Sequence, residues 1–255
     1  LFKDNYIERE QLKFLITKSK NDFIIIISGI RRCGKSVLLN QFRKIQKENS
    51  YYLNFDDERL IDFQVKDFEI LYETFIELFG KEKTFYFDEI QNINGWESFV
   101  RRLHDYKNKI FITGSNATLL SKELGTRLTG RYLQAELFPA SFSEFLKFNK
   151  FKIKKEDYFK REKIINVKKL FDKYLKEGGF LKYLNTKDED FFKIIYENIL
   201  FRDIIARYSL NNEKGIKDIF QYLTSNISKE FSYTTLKTIS NISSATTIRD
   251  YISYL

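Results

Sequence analysis

The chain is poor in the residues that build many small catalytic and structural sites. Its 255 residues include one cysteine, one histidine, one proline, one tryptophan and no methionine. A lone Cys33 excludes an internal disulfide framework and suits a reducing, cytoplasmic setting. Cys33 and His104 cannot between them supply a zinc cluster of the usual ligand types. His104 is the one candidate base for a Ser-His-Asp or Cys-His site, and its helical surroundings read as those of a solvent-facing side chain. Long apolar runs are missing as well. The longest, Phe23 to Ile27, is far too short to span a bilayer, and no signal-peptide pattern opens the chain, so no membrane role is expected. Leu1 is no initiator, and the sequence reads as a trimmed segment.

What is present is a foldable composition, 43% hydrophobic and 31% charged, with enough length for one sizeable core or two to three small ones. The formal net charge of +9 favours nucleic acid or anionic surfaces as partners. An AT-rich genome, which enriches Lys, Ile, Asn, Phe and Tyr together, accounts for the same bias equally well.

One stretch organises the rest. The β-branched and aromatic run Phe23–Ile27 reads as a strand buried on both faces. It empties into Gly29-Ile30-Arg31-Arg32-Cys33-Gly34-Lys35-Ser36, and the amphipathic pattern Val37, Leu38, Leu39, Phe42, Ile45 follows. Strand, Gly-x-x-x-x-Gly-Lys-Ser loop and helix, in that order, are the context of a phosphate-binding P-loop. Gly29 and Gly34 let the backbone turn where a Cβ would collide. The amides of residues 30 to 36, and of the helix that Val37 continues, then point at phosphate oxygens near the positive end of the helix dipole. Lys35 is expected on the β- and γ-phosphates and Ser36 on Mg²⁺. Cys33 fills the place of a small residue, with a redox-sensitive thiol as the alternative. Arg31 and Arg32 add to the anion field, or Arg32 points outward to a partner.

Further strands are expected at 51–55, 83–89, 109–116 and 131–137, and helices over 4–20, 67–79 and 96–106. Alternating strands and helices predict an α/β fold: a three-layer parallel sheet with its site at the strands' C-terminal ends. Pro139 marks a change of character. Helices follow at 141–148, 164–176 and 188–208, then shorter ones near 216–226, 233–240 and 245–254. The domains are accordingly read as a P-loop core over 1–139, an all-α helical lid over 140–210, and a helix-turn-helix or winged-helix segment over 211–255.

Three constellations bear chemistry. Phe85-Tyr86-Phe87-Asp88-Glu89 has the form of a Walker B strand, with Asp88 opposite Ser36 to hold Mg²⁺ and Glu89 facing the γ-phosphate to polarise a water. Thr113-Gly114-Ser115-Asn116 ends the strand expected beside both motifs. Ser115 and Asn116 are the candidates to sense the γ-phosphate there, or the stretch only caps the next helix. Arg127 and Arg131 are candidate fingers for the transferring phosphoryl group, in cis or from a neighbouring subunit, or are simply solvated.

These residues also occur as an ordered set: Gly29 to Ser36, Phe87-Asp-Glu-Ile-Gln91 with Gly95-Trp-Glu97, Ile112-Thr-Gly-Ser-Asn-Ala117, Leu128-Thr-Gly-Arg131, Phe138-Pro-Ala-Ser-Phe-Ser-Glu-Phe145 and Gly178-Gly-Phe180. Together they resemble the AAA+-related ATPases common in archaea and some bacteria, kin to replication-initiator and STAND-type ATPases. The resemblance implies ATP rather than GTP, a P-loop sheet, a helical lid and a winged helix. Tyr6-Ile-Glu-Arg-Glu10 is similar to the segment that lies near adenine in these relatives, which places Arg9 among the nucleotide-binding residues. One departure follows Gly178-Gly179-Phe180. Relatives usually continue with Pro, and some have Arg nearby; here Leu181 and Lys182 follow, leaving Lys182 as a weak substitute for a lid arginine.

The expected activity is Mg-dependent ATP hydrolysis that drives lid and winged-helix movement, with DNA or protein engaged through the C-terminal helices and homo-oligomer formation open. A slow nucleotide switch with little hydrolysis is the alternative. A small-molecule kinase fits the P-loop but not the Asp88-Glu89 pair. The last of the terminal helices offers only Arg249 as a cation, which weakens direct DNA reading by that segment.

Overall fold

A computed structural model describes residues 7–115 and 127–255. Five strands, β1 (Ile24–Gly29), β2 (Tyr51–Asn54), β3 (Thr84–Asp88), β4 (Lys109–Ser115) and β5 (Tyr132–Glu136), form one sheet in the order β2-β3-β4-β1-β5. Every pairing is parallel, as strands joined through helical crossovers require. The expected α/β fold is therefore the observed one. β4 lies between β1 and β3, so the strand that leads into the P-loop motif and the strand carrying Asp88 flank it as anticipated.

Side chains alternate across a strand, and here both faces are covered. Ile24 and Ile26 of β1, Phe85 and Phe87 of β3, and Ile110 and Ile112 of β4 point to one layer. They meet α3 (Phe68–Phe79) and α4 (Trp96–Asp105), where Phe68 and Phe99 stack with ring centroids 4.4 Å apart. Ile25, Ile27, Tyr86 and Phe111 point to the other layer. They pack on α1 (Gln11–Lys18) and α2 (Lys35–Gln46) through Leu12, Leu15, Leu38, Leu39 and Phe42. The continuous apolar strands of the sequence are thus sandwiched between two helical layers. α1 is shorter than the 4–20 span read from the sequence. Arg9 ends the irregular segment in front of it and makes contacts that fix its path.

Beyond Pro139 come α5 (Phe142–Phe148), α6 (Arg161–Glu177) and α7 (Leu181–Thr186). A reciprocal cap between Ser141 and Glu144 starts α5. The Gly178-Gly179 pair ends α6 for two separate reasons. Gly178 takes φ +71 at the helix stop, and a Cβ on Gly179 would lie 2.2 Å from the Ala140 carbonyl oxygen. The Ala140 amide donates to the Gly179 carbonyl at 2.8 Å and the Tyr174 hydroxyl to the Ala140 carbonyl at 2.9 Å, so the segment after Pro139 and the end of α6 are stitched together. α7 was not read from the sequence, because six residues are too few to show a helical period.

The chain divides into two compact units, the first reaching Lys187 and the second running Asp188–Leu255. Residues 188–210, assigned from sequence to the lid, lie in the second unit. There α8 (Asp190–Glu197) runs on through a π-helical stretch, Asn198–Ala206. Leu200, Ile204 and Ile205 share a core with Ile216 and Ile219 of α9 (Glu213–Ser225), Leu236 of α10 (Tyr233–Ser240) and Ile248 of α11 (Ala245–Tyr254). α10 and α11 match the sequence expectation residue for residue, since Ser232 and Ser244 cap them by accepting from the amides three residues on. No strand is described in this unit, so a wing is not seen among the described residues.

Candidate nucleotide site

β1 ends on Gly29, whose φ is +155 and whose added Cβ would stand 2.2 Å from the Leu137 carbonyl oxygen. Only glycine lets the chain leave the sheet that close to its neighbour. The loop then turns through Arg32 (φ +65) and Gly34 (φ +105) into α2. Gly34 brings no side chain to cap the helix, and the first turn of α2 faces the cleft with its amide end.

That cleft encloses about 490 Å³ and is lined by Ile7, Arg9, the loop residues Arg32 to Val37, Glu89 and the α7 residues Leu181, Lys182, Asn185 and Thr186. Of the residues expected to bind nucleotide, Arg9, Arg32, Cys33, Gly34, Lys35, Ser36 and Val37 reach it. Gly29 is not a lining residue, but its carbonyl accepts from Lys35 Nζ at 3.2 Å. Ile30 and Arg31 are not among the lining residues, although the Ile30 carbonyl also accepts from Lys35 Nζ, at 3.4 Å.

The chemistry-bearing side chains converge from three strands. Ser36 Oγ donates to Asp88 Oδ1 at 3.0 Å, and the Thr113 hydroxyl donates to the same oxygen. Tyr52 at the edge strand β2 donates to Asp88 Oδ2 at 3.2 Å. Burial pushes the Asp88 carboxyl above its ordinary pKa, against the hydrogen bonds from Thr113 and Ser36. Burial, then the Asp88 charge, pushes Tyr52 up to about 12, which keeps it a donor. Glu89 follows β3 with a positive φ of 53°, an uncommon conformation that turns its carboxylate back over the loop. Its Oε1 lies 3.7 Å from Lys35 Nζ, its Oε2 accepts from Gln91 Nε2 at 2.5 Å, and its amide donates to Thr113 Oγ1 at 3.0 Å.

Thr113, Tyr52 and Gln91 were missed as site residues. Thr113 had a signal, since it opens the polar tip of β4 whose end carries Ser115 and Asn116. Asn116 lies outside the described residues. The thiol of Cys33 is buried, and burial raises its pKa over the opposing pull of Lys35 and Arg9, so it behaves as a small packed residue.

Arg9 is placed at the cleft, and three of its five N–H donors are committed. Nε bonds Glu144 Oε1 at 3.0 Å, Nη1 the Cys33 carbonyl at 2.8 Å and Nη2 the Phe138 carbonyl at 2.7 Å. The Glu10 and Ser141 amides donate to the same carboxylate at 2.7 and 3.0 Å. One buried ion pair therefore ties the leading segment, the P-loop and the start of α5 together.

The arginines Arg127 and Arg131 are not brought to the cleft. Arg127 Nη1 pairs with Glu97 at 3.2 Å and Arg131 Nε with Asp105 at 3.3 Å. The Ile24 amide donates to the Arg131 carbonyl, so Arg131 stands at the beginning of β1. The six residues of β1, about 20 Å at ~3.3 Å each, separate it from the loop. A finger role in cis for Arg131 is thereby closed, because no arginine side chain bridges that span.

The domain model described as AAA domain matches residues 6–146, more than half of the chain. The chain belongs to the AAA-domain family. An uncharacterized protein of Methanocaldococcus jannaschii is 39% identical over 224 residues, covering 86% of this chain and 49% of its own length. Another, from Haemophilus influenzae, is 35% identical over 239 residues, covering 88% and 56%. This AAA protein thus spans about half the length of the curated relatives it matches. Among solved structures, the Walker-type ATPase of Pyrococcus abyssi is similar at 15% identity and a TM-score of 0.48, over 92% of this chain and 88% of that one. The AAA fold with its P-loop supports binding of ATP. No helix among the described residues is long and apolar enough to cross a membrane.

The donor set of this AAA domain fits a magnesium-bound triphosphate. Ser36 and Asp88 offer the hard oxygen ligands Mg²⁺ prefers, few in number because the ion keeps waters and phosphate oxygens. The side chain of Lys35 is buried to 5% exposure with its ammonium at the loop, where a polyanion would neutralise it.

Proposed function

We propose that the chain is a Mg-dependent ATPase in which ATP binding and hydrolysis are coupled to movement of the helical lid. The observation that carries this reading is the meeting of Lys35, Ser36, Asp88 and Glu89 around one loop. Lys35 and the α2 amides would hold the β- and γ-phosphates, with Ser36 and Asp88 holding the ion. When bound, Mg²⁺ supplies charge neutralisation at the phosphates. Glu89 would orient a water and accept its proton, and Thr113 fixes Asp88 and the Glu89 backbone at once. α7 carries Lys182 into the cleft, which supports the lid as the part that responds to the γ-phosphate. The functional division that goes with this reading is a core and a lid of α5–α7 in the first compact unit, which reaches Lys187, and the helices of residues 188–255 in the second. A second copy of the chain is the remaining source for a finger from Arg127 or Arg131, and the setting is the cytoplasm.

A slow switch is the second reading, favoured by the way Lys35 and Gln91 hold both oxygens of Glu89. Turnover of Glu89→Gln decides between them. A fall of at least about a hundredfold with ATP binding kept supports the base assignment, whereas equal turnover in variant and wild type rejects it.

A further inference from the structure

The excess positive charge of this chain is not spread over it. Residues 141–187, from the start of α5 to the end of α7, hold fourteen Lys and Arg against six Asp and Glu. Residues 1–140 hold twenty-two against twenty, and residues 188–255 eight against nine. Eight of the nine net charges therefore sit in the lid segment, and the terminal helix-turn-helix helices are close to neutral. A genome-wide lysine bias does not produce this partition, because the same bias in the other two segments is balanced by acids.

The lid also presents that charge on a face. Arg161, Lys168, Lys169, Lys173 and Lys176 fall on one side of α6 at the helical period, with Glu162 and Asp172 the acids among them. Lys168, Lys169 and Lys176 are exposed and make no ion pair among the described residues. Lys173 reaches Glu177 at 3.9 Å, a carboxylate that Lys187 holds at 2.6 Å. Three more exposed lysines, Lys152, Lys154 and Lys155, stand in the segment before α6, the last of them opening a short 3-10 helix. The opposite stripe of α6 is partly in use: Phe171 packs edge-on to Phe142 at 5.1 Å and Tyr174 packs on Phe142 and Phe145, while Phe171 itself and Leu175 remain exposed.

We propose that the lid's basic face, and not the terminal helices, is where this protein binds the phosphate backbone of nucleic acid. The chemistry is sequence-independent neutralisation of phosphates by lysines, with release of their counterions. α6 is about 25 Å long at ~1.5 Å per residue, the length of about seven base-pair steps at ~3.4 Å. Nucleic acid is favoured over a bilayer because a membrane-surface helix lays its whole apolar stripe in lipid, and here Tyr174 at the middle of that stripe is packed on Phe142 and Phe145 of α5; the exposed Phe171 and Leu175 make anionic vesicles the competing arm of the test. Since α7 lines the nucleotide cleft, the element that meets the polyanion continues directly into one that meets ATP.

The test is fluorescence anisotropy of a labelled 25-base-pair duplex titrated with the 255-residue chain, without nucleotide, across a salt series. Lys168→Gln/Lys169→Gln/Lys176→Gln is expected to weaken binding at least about tenfold and to lower the salt slope by about 2 to 3, near 0.9 for each lost phosphate contact. Lys237→Gln/Arg249→Gln in the terminal helices is expected to change affinity less than twofold. Thermal melts and Mg-ATP titration of both variants check that fold and nucleotide cleft are intact, so a failure of this proposal is distinct from a failure of the ATPase reading. Unchanged binding in the α6 variant, an equal loss in the terminal variant, or no DNA binding by the wild type overturns the proposal. Salt-sensitive binding to phosphatidylserine vesicles without binding to DNA overturns it as well.

Discussion

Replacing Arg9 by leucine removes the cation from a carboxylate that stays buried. The side chains of Arg9 and Glu144 are each only 4% exposed, so solvent does little to screen the loss. Breaking one partner out of such a pair costs about 3–5 kcal/mol, chiefly because the other charge is left uncompensated. The carbonyls of Cys33 and Phe138 lose a charged donor in the same step, at up to ~1–3 kcal/mol each if no water replaces it, though such terms do not add. Against a typical domain stability of about 5–15 kcal/mol this is a large fraction, and it corresponds to a Tm fall of roughly 6–20 °C. The pH dependence has a definite sign. Burial alone would raise the pKa of Glu144, but the bonds from Arg9 and from the Glu10 and Ser141 amides outweigh it and hold the pKa below its ordinary value. The stability Glu144 contributes is therefore present above the unfolded carboxyl pKa and is lost as pH falls through the folded one. In Arg9→Leu burial dominates, Glu144 protonates at higher pH, and the gap to wild type narrows on acidification. Thermal melts at pH 7.5 and 5 measure both effects, and Arg9→Leu/Glu144→Leu should recover part of the loss. A single variant within about 0.5 kcal/mol of wild type at pH 7.5 would refute the clamp.

Two further substitutions probe the site itself. Gly29→Ala forces a Cβ against the Leu137 carbonyl, a contact no rotamer relieves, so the loop must shift; ATP affinity measured by calorimetry should fall at least about tenfold with the sheet still folded by circular dichroism. Thr113→Val keeps the volume but removes the hydroxyl that bonds both Asp88 and the Glu89 amide, and the Mg²⁺ concentration needed for half-maximal ATPase should rise by about 10–100-fold.

Much of this arrangement was legible because its signals are local. Continuous β-branched and aromatic runs gave β1, β3 and β4, and the period-2 split of Ile24/Ile26 from Ile25/Ile27 is what a sheet covered on both faces demands. Gly29, Lys35, Ser36, Asp88 and Glu89 were readable from spacing, since strand, turn and helix dictate where each falls. What escaped was tertiary. Tyr52 reaches Asp88 only because β2 pairs with β3, and Arg9 meets Glu144 across 135 residues. Arg131 looked close to the chemistry in sequence, yet β5 enters the sheet at the far end of β1. The division at Lys187 was obscured because α8 and its π-helical continuation share a core with helices that follow them, a fact no local pattern carries.

Calorimetric titration of ATP into the chain, with and without Mg²⁺, tests the central claim most directly. Binding that strengthens with Mg²⁺ in the wild type, and loses that Mg²⁺ dependence in Ser36→Ala, is the predicted result. No heat of binding from Mg-ATP in the folded wild-type chain would contradict it.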